Sequence, residues 1–295
     1  IWIPKPGKNE KRPLGIPTIK DRVVQELLRM LMEPIWESDF LDCSNGFRPG
    51  RRTMDCITIC YREIHSQNKY YWVVEGDIRK CFDRIHHEKL MKLVQKRIAD
   101  KRVIQLIEAF LKTGVMEDGL FQDTPEGTPQ GGILSPLLAN IYLNELDQWW
   151  WKKYGSLSPL EKAKRRRKME GNFILTRYAD DFIILCNGTK ESAEQVKQEV
   201  KDFLKDELYL ELSEEKTHIT HVAEGFDFLG FHIQREDPKV GKPWLRVTPT
   251  DKSEQRLRDT IKKMTGRASG WEPVPEKIRA INRVLRSEEH TSELQ

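Results

Sequence analysis

Two adjacent aspartates inside an apolar stretch constrain this chain more than any other feature. Residues 176–185 read TRYADDFIIL, so Asp180 and Asp181 lie among residues that are typical of a buried strand. A carboxylate beside a hydrophobic core is costly unless a partner neutralises its charge. The strand-like residues on both sides predict a β-hairpin whose tight turn carries Ala179 and both acids.

A third acid follows another strongly apolar segment. Residues 70–77 read YYWVVEGD, which predicts a strand that ends at Asp77. If the two strands are neighbours, Asp77 and Asp180 converge across 103 positions of sequence. Mg²⁺ prefers one or two carboxylates together with phosphate oxygens, and two ions about 4 Å apart can promote an in-line phosphoryl displacement. The alternative is a hairpin turn that favours Asp for ordinary hydrogen bonding.

The region before these motifs predicts two strands and a long helix. The pattern IWIP…KRPLGIP in residues 1–17 indicates two short strands around a basic turn. Residues 21–36 read DRVVQELLRMLMEPIW, with apolar residues at helical spacing. Asp21 is the predicted N-cap of this helix, and Pro34 its predicted end.

Three motifs, in this order, make the sequence similar to a known family. They are EGDIRKCFDRI at 75–85, GTPQGGILSPLLANIYL at 127–143 and YADD at 178–181. Together they resemble the reverse transcriptases and, more narrowly, the group II intron-encoded enzymes also called maturases. The resemblance covers about residues 1–285. It implies an α+β chain with a right-hand polymerase fold, in which fingers and an antiparallel-sheet palm precede a small helical thumb segment.

The resemblance also divides the chain into parts. Residues 1–72 are expected to form the fingers with part of the helices that pack on the palm, and residues 73–248 the palm with its primer-grip hairpin. Residues 249–285 are expected to form a partial thumb. The start at Ile1 is interpreted as the start of a fragment. Residues 286–295, RSEEHTSELQ, are interpreted as a non-native tail because they resemble a translated sequencing adapter.

Site residues follow from the same resemblance, position by position. The implied catalytic residues are Asp77, Asp180 and Asp181, and the implied ligands of two Mg²⁺ ions are Asp77, Ile78, Asp180 and Asp181. The implied nucleotide-binding residues are Lys5, Arg12, Ile78, Phe82, Gln130 and Lys216. The implied template- or primer-binding residues are Arg48, Arg51, Arg52, Gly131, Gly132, Leu229 and Gly230. Phe82 is expected to stack under the incoming sugar and exclude a 2′-hydroxyl, although a core phenylalanine is the simpler alternative.

Charge is unevenly distributed although the net charge is only +4. Residues 152–168 hold eight Lys and Arg against one acid, and residues 251–286 hold ten against five. Such basic stretches favour contact with a polyanion, and a solvated surface is the alternative. No apolar run reaches the roughly 18 residues that a membrane span needs, and no signal-peptide pattern is present. The five irregularly spaced cysteines predict free thiols in a reducing cytosol.

The resemblance implies an RNA-directed DNA polymerase, a nucleotidyltransferase that extends a DNA primer with dNTPs on an RNA template. A group II intron origin adds intron RNA as a partner, with roles in retrohoming and splicing. It implies a ribonucleoprotein of the bacterial cytoplasm, or alternatively of an organelle, without a membrane partner; the oligomeric state stays open, a dimer included. Three alternatives remain: a splicing cofactor that does not polymerise, an RNA-dependent RNA polymerase, and a reverse transcriptase of a defence, CRISPR-linked or diversity-generating system.

Overall fold

The structure is a computed structural model that describes residues 2–4, 11–13, 15–65, 69–112, 115–117, 120–122, 126–128, 131–237, 243–266 and 273–287. The strands in these ranges are β1 (Trp2–Pro4), β2 (Lys11–Pro13), β3 (Trp72–Asp77), β4 (Val115–Glu117), β5 (Leu120–Gln122), β6 (Phe173–Tyr178), β7 (Asp181–Cys186), β8 (His218–His221), β9 (Phe226–Phe228), β10 (Phe231–Glu236) and β11 (Trp244–Pro249). The helices are α1 (Ile19–Glu37), α2 (Thr53–His65), α3 (His87–Gln95), α4 (Lys101–Lys112), α5 (Ser135–Trp150), α6 (Pro159–Arg167), α7 (Lys190–Leu208), α8 (Asp251–Thr265) and α9 (Val274–Ser287).

A four-stranded antiparallel sheet with the order β6-β7-β3-β8 forms the centre of the molecule. Successive side chains of a strand point to opposite faces, and here both faces are covered. Val74 and Ile184 face one hydrophobic core, while Val73 and Ile183 face the other. Burial on both faces explains why Val73 and Val74 of β3, and all residues of β7 after Asp181, are apolar at successive positions.

The two cores have different coverings. Helices α1, α3, α4, α5 and α7 cover the first face of the sheet. Helix α2 and the three-stranded sheet β11-β10-β9 cover the second. This mixture of helices with antiparallel sheets confirms the α+β prediction. Among the described helices, none is both long and apolar enough to cross a membrane.

Helix α1 differs from its prediction at both ends. Thr18 is the N-cap, and its hydroxyl accepts a hydrogen bond from the backbone N–H of Asp21, the residue predicted to cap the helix. Pro34 lies inside the helix, which continues to Glu37. Pro34 lacks an N–H and disfavours a helix interior, but Trp36 is buried in the core, so tertiary packing holds the last turn in place.

The ends of the chain carry smaller units that agree with the sequence pattern. Strands β1 and β2 pair as predicted, while the basic turn at 5–10 lies outside the described residues. Strands β9 and β10 form the predicted hairpin, which turns at Leu229 and Gly230. Helices α8 and α9 follow β11 in the region expected to be the thumb.

Candidate active site

Three aspartates meet at one end of the central sheet. Strands β3 and β7 pair with the Cα atoms of Asp77 and Asp181 as register partners. The hairpin between β6 and β7 turns at Ala179 and Asp180, so Asp180 lies next to this pair. Ala179 has a left-handed backbone with a φ of 56° within this tight turn. The predicted convergence is therefore present, but Asp181 begins β7 and lies opposite Asp77, whereas Asp180 alone shares the turn with Ala179.

Electrostatic repulsion is built into this cluster. The pKa of Asp181 is raised to about 7, first because the surrounding protein removes solvation and then because Asp180 and Asp77 are negatively charged. Asp181 nevertheless remains exposed at the cleft surface. We therefore assign more of the raised pKa to the neighbouring carboxylates, whose repulsion a bound cation relieves, than to burial.

Lys216 supplies a positive charge to the cluster. Its Nζ donates a hydrogen bond of 2.9 Å to Oδ1 of Asp77, whose side chain is only 15% exposed. Burial lowers the pKa of Lys216, but the bond to Asp77 and the charges of the acids outweigh it, so this pKa is raised. The ammonium group thus remains charged and partly balances the three carboxylates.

The donor types fit a hard divalent cation, because three aspartates lie together at the ends of two adjacent strands. Within the described parts of the chain, however, no three His, Cys, Asp or Glu side chains already stand in a metal-binding arrangement. Asp77 is instead bonded to Lys216. A shared ion would therefore have to be bound beside Lys216, which already occupies Oδ1 of Asp77.

The backbone of Ile78 forms an antiparallel bridge with Leu212. On one side of this segment, Ser213 N–H donates to Asp77 C=O and Arg79 N–H donates to Glu211 C=O, both at 2.8 Å. Alternate residues of a strand direct their peptide groups to opposite sides. The Ile78 carbonyl therefore faces away from residues 211–213, toward β7 and the hairpin turn.

Phe82 lies on a short 3₁₀ turn, Cys81–Asp83, directly after this segment. Its carbonyl accepts a hydrogen bond of 2.7 Å from the N–H of Thr128, which ties the turn to the loop that follows β5. Its ring is partly buried and makes an edge contact with Phe47, at 6.4 Å between centroids. The ring packs on the core, as the simpler alternative expects, and its role under the incoming sugar stays a prediction.

Phe47 was not identified from the sequence. Its ring lies between Phe82 and Tyr178, 6.3 Å from the Tyr178 centroid, and is 42% exposed. Its backbone is left-handed, with a φ of 55°. The sequence signal was weak, because Phe47 is a single aromatic residue in the Gly- and Pro-rich loop GFRPGRR, which also carries three arginines.

The turn at Ala179 and Asp180, here called the carboxylate turn, is bonded to a buried ion pair. Sequence analysis did not predict this ion pair. Arg177, the residue before the YADD motif, is fully buried and pairs with the equally buried Asp147 of α5. Its Nη1 also donates a hydrogen bond of 2.7 Å to the carbonyl of Ala179, and its Nη2 donates a hydrogen bond of 2.8 Å to Oγ of Ser44. An arginine in an apolar strand and an aspartate on an apolar helix were the available signals.

The loop that carries Phe47 is docked against the same turn. The backbone N–H of Arg177 donates to Cys43 C=O at 2.7 Å, and that of Asn45 donates to Arg177 C=O at 2.9 Å. Gly46 lies so close to the turn that a Cβ there would be 2.2 Å from the backbone nitrogen of Ala179. Only a residue without a side chain permits this approach.

The three arginines of this loop do not share one environment. Arg48 is buried, pairs with Glu37 at 2.9 Å and donates to the carbonyls of Leu41 and Ser44. Its guanidinium holds the loop together, which corrects the predicted template contact of Arg48 to a structural role. Arg51 pairs with Asp42, and Arg52 is exposed.

Other predicted nucleotide contacts are only partly described. Lys5 and Gln130 lie outside the described residues. Arg12 belongs to β2, where its backbone pairs with Ile3. Gly131 and Gly132 lie just before α5, and Gly131 has a φ of 103°.

The hairpin of β9 and β10 borders the carboxylate cluster. A cleft of about 210 Å³ is lined by Asp77, Asp181 and Lys216 on one side and by Asp227, Phe228 and Leu229 on another. Leu229 and Gly230 have φ values of 49° and 83° at the hairpin turn. The predicted primer-binding residue Leu229 thus lines the same cleft as Asp77 and Asp181, two of the three predicted catalytic acids.

Comparison with known proteins agrees with this geometry. The family model described as reverse transcriptase (RNA-dependent DNA polymerase) matches residues 3–233. Protein YkfC of Escherichia coli is 40% identical over 85% of this chain and 69% of its own length. The group II intron-encoded protein LtrA of Lactococcus lactis is 36% identical over 94% of this chain and 55% of its own length. The chain therefore spans about half to two thirds of these relatives.

Organellar proteins and solved structures extend the comparison. Nuclear intron maturase 1, a mitochondrial protein of Arabidopsis thaliana, is 28% identical over 79% of this chain and 42% of its own length. The structure of apo telomerase from Candida tropicalis matches with a TM-score of 0.55 over 90% of this chain and 49% of its own, at 15% identity. At that identity the likeness shows the polymerase fold alone.

Proposed function

The chain belongs to the reverse transcriptase family, and we propose that it catalyses RNA-directed DNA synthesis by adding deoxynucleotides to the 3′ end of a primer. The observation that carries the proposal is the register pairing of Asp77 with Asp181, with Asp180 in the adjacent turn. Two strands that deliver carboxylates to one point are the arrangement that nucleotidyl transfer with two metal ions requires.

Reverse transcriptases use divalent metal ions, and the proposed pair here is Mg²⁺. Asp77, Asp180, Asp181 and the Ile78 carbonyl are the proposed ligands. When bound, such ions activate the primer hydroxyl and neutralise the charge that develops on the triphosphate. The protein contributes three carboxylates on adjacent strand ends and, in Lys216, a cation that is bonded to Asp77.

The nucleotide is proposed to lie between the carboxylates and Phe82. The half-buried ring of Phe82 would support the sugar and leave no room for a 2′-hydroxyl. Lys216, with an exposed ammonium group beside Asp77, would donate a proton to the leaving pyrophosphate. Arg12 and Lys5 would bind the β- and γ-phosphates, for which the planar guanidinium is well suited. Gln130 would contact the incoming nucleotide.

Template and primer are proposed to lie across the same cleft. Arg51 and Arg52 with Gly131 and Gly132 would contact the template, and Leu229 and Gly230 would hold the primer end. In this arrangement residues 1–72 act as fingers, residues 73–248 as palm and residues 249–285 as the start of the thumb. The position of Leu229 in the carboxylate cleft supports the primer assignment.

Group II intron RNA is the proposed biological partner, because the relative LtrA is named a group II intron-encoded protein. The maturases among the relatives favour one second candidate, a splicing cofactor that does not polymerise. The presence of all three aspartates at one end of the sheet favours polymerisation.

Primer extension tests the proposal. The wild-type chain is incubated with poly(rA)/oligo(dT), dTTP and Mg²⁺, beside Asp77→Asn and Asp180→Asn. The exposed Asp202→Asn on α7 is the matched control. We expect wild type and control to extend the primer, and the extension rate of both site variants to fall at least a hundredfold. Loss of one metal-binding carboxylate removes several kcal/mol of transition-state stabilisation. Equal extension by all four proteins would refute the site.

Two further measurements separate the rivals. Competition between dTTP and UTP on the same template distinguishes a DNA polymerase from an RNA polymerase. A splicing assay with intron RNA distinguishes a cofactor that does not polymerise, because the Asp180→Asn variant would then splice normally while neither protein extends a primer.

A further inference from the structure

We propose that an exposed face at the opposite end of the central sheet binds RNA independently of the polymerase cleft. This face, here called the basic surface, consists of Trp151, Lys152, Lys164, Arg166, Arg167 and Lys168. The inference rests on the proposed function only in taking RNA as the partner of the protein.

The helix that carries most of these cations is firmly anchored. Helix α6 begins with a reciprocal capping box between Ser158 and Glu161. Its Arg165 points toward the protein, where Nε donates a hydrogen bond of 2.9 Å to the carbonyl of Gly171. The guanidinium lies over the rings of Tyr154 and Phe173, 5.4 and 5.6 Å from their centroids. A fixed helix presents its remaining cations without the entropic cost of ordering a loop.

The outward cations have few acidic partners. Lys152, Lys164, Arg166 and Arg167 are exposed, and none forms an ion pair with another described residue. Lys168 has only a long contact of 3.9 Å to Glu170 and is 72% exposed. Lys164, Arg167 and Lys168 are spaced i, i+3 and i+4, which places them on one face of the helix. A group of exposed cations with few acidic neighbours is the electrostatic footprint of a polyanion site.

An exposed indole accompanies the cations. Trp151 is 50% exposed, and its ring lies against the backbone of Gly155, where a Cβ would be 2.4 Å from the ring. The short π-helical segment Trp151–Gly155 thus holds one side of the indole against the protein and exposes the remainder. Nucleic acid bases stack on aromatic rings presented in this way, and cations beside them bind the phosphates.

The basic surface lies away from the carboxylates. Strand β6 runs from Phe173, which Arg165 contacts, to Tyr178 beside the acids. Six strand residues span about 16 Å. An RNA bound at the basic surface therefore contacts the far end of the sheet, not the site of nucleotide addition.

The same residues fit RNA better than a membrane. A helix that lies on a bilayer needs an apolar stripe opposite its charges. On α6, which is described throughout, Leu160 is the one exposed large apolar side chain, and it lies on the face that carries Lys164 and Arg167. Charge without a separate apolar face favours a polyanion with discrete phosphates.

Two variants with the same loss of charge test the proposal. The first carries Lys164→Gln, Arg166→Gln, Arg167→Gln and Lys168→Gln. The second carries Lys92→Gln, Lys101→Gln, Lys190→Gln and Lys205→Gln, four exposed lysines on α3, α4 and α7. Each protein is first mixed with one equivalent of a short unlabelled rA/dT primer–template, which occupies the cleft without an excess that would fill the basic surface. A fluorescein-labelled RNA stem–loop is then titrated while anisotropy is recorded.

We expect wild type and the dispersed variant to bind the stem–loop within about twofold of each other. The basic-surface variant should bind at least about tenfold more weakly, and its slope of log K against log salt should be shallower by about 3. Trp151→Ala should weaken binding of labelled single-stranded oligo(rA) more than binding of an RNA duplex. All variants should extend the short primer within about twofold of wild type.

Several results would overturn the proposal. The first is equal weakening by the two four-residue variants, which assigns the effect to net charge. The second is loss of stem–loop binding once primer–template fills the cleft. The third is binding to phosphatidylserine vesicles that the basic-surface variant loses while its RNA binding is unchanged. Failure of the wild type to extend a primer would instead count against the proposed function, because the anisotropy result does not depend on polymerisation.

Discussion

Arg177 and Asp147 form a fully buried ion pair directly beneath the carboxylate turn. Nε and Nη2 of Arg177 donate to the two carboxylate oxygens of Asp147 at 3.0 and 2.5 Å. The same guanidinium donates to the carbonyl of Ala179, next to Asp180. Helix α5 and the carboxylate turn are therefore joined through one side chain.

The first prediction concerns stability. Arg177→Met leaves Asp147 charged and buried without a partner, which should lower the free energy of unfolding by about 3–5 kcal/mol. The double variant Arg177→Met/Asp147→Leu should recover much of this loss in urea unfolding, yet extend primers more slowly because Ala179 has lost its donor. Arg97→Met, which breaks the surface pair with Asp39, should cost about 1 kcal/mol or less. Equal unfolding of wild type and Arg177→Met would contradict this account.

The second prediction concerns the approach of Gly46 to the turn. In Gly46→Ala the new methyl would meet the backbone of Ala179 at 2.2 Å, and neither backbone can yield without moving the acids. We expect kcat for primer extension to fall at least about tenfold, since small displacements of catalytic groups are costly. Gly50→Ala is the control, because its φ of 71° is strained but its Cβ would meet no atom within 4 Å. A similar kcat in both variants would exclude a specific role for the contact.

The third prediction concerns Phe47. Its removal leaves Phe82 without its edge contact, so Phe47→Ala should raise KM for dTTP and increase relative use of UTP. Phe82→Ala should act in the same direction more strongly. The double variant should show less than the sum of the two free-energy changes, because both rings border one site. Additive effects would mean that the rings act separately; Tyr61→Ala on α2 serves as the control.

The fourth prediction concerns the competition between Lys216 and a metal ion for Asp77. Lys216→Gln removes the ammonium group that is bonded to Asp77, so Mn²⁺, measured by electron paramagnetic resonance, should bind more tightly, by about three- to tenfold. Primer extension should nevertheless slow if Lys216 is the proton donor. Lys201→Gln, whose partner is Glu214, should leave Mn²⁺ binding unchanged. Weaker Mn²⁺ binding in Lys216→Gln would show that Lys216 assists the metal instead of competing with it.

The fifth prediction concerns the thiols. All five cysteines are unpaired thiols, and burial raises the pKa of both Cys56 and Cys186 to about 11, from an ordinary value of 9. A thiol pKa of about 11 in place of 9 lowers the thiolate fraction about a hundredfold at pH 8, so both thiols should react slowly with a disulfide reagent in the native protein. In guanidinium chloride all five should react rapidly. Fast native reaction of more than one thiol would show that the cores open readily.

Local patterns in the sequence were sufficient for much of the fold. The apolar runs before Asp77 and around Asp180 predicted β3 and the β6–β7 hairpin, because residues buried on both faces must be apolar at successive positions. Helix α1 was predicted as a helix but with wrong ends. Local rules favoured Asp21 and Pro34 as limits, whereas Thr18 capping and the burial of Trp36 decided them.

The sequence by itself determined which residues are acidic, which segments are buried strands and where the turns between them fall, because these depend on neighbours a few positions away. Only the tertiary structure decided that Asp181 is the register partner of Asp77, that Arg48 is buried and that Arg177 pairs with Asp147. Each of these contacts depends on strand register or helix placement. The strand register and the helix positions are set because both faces of the central sheet must be buried at once. This burial brings together residues that are far apart in the chain.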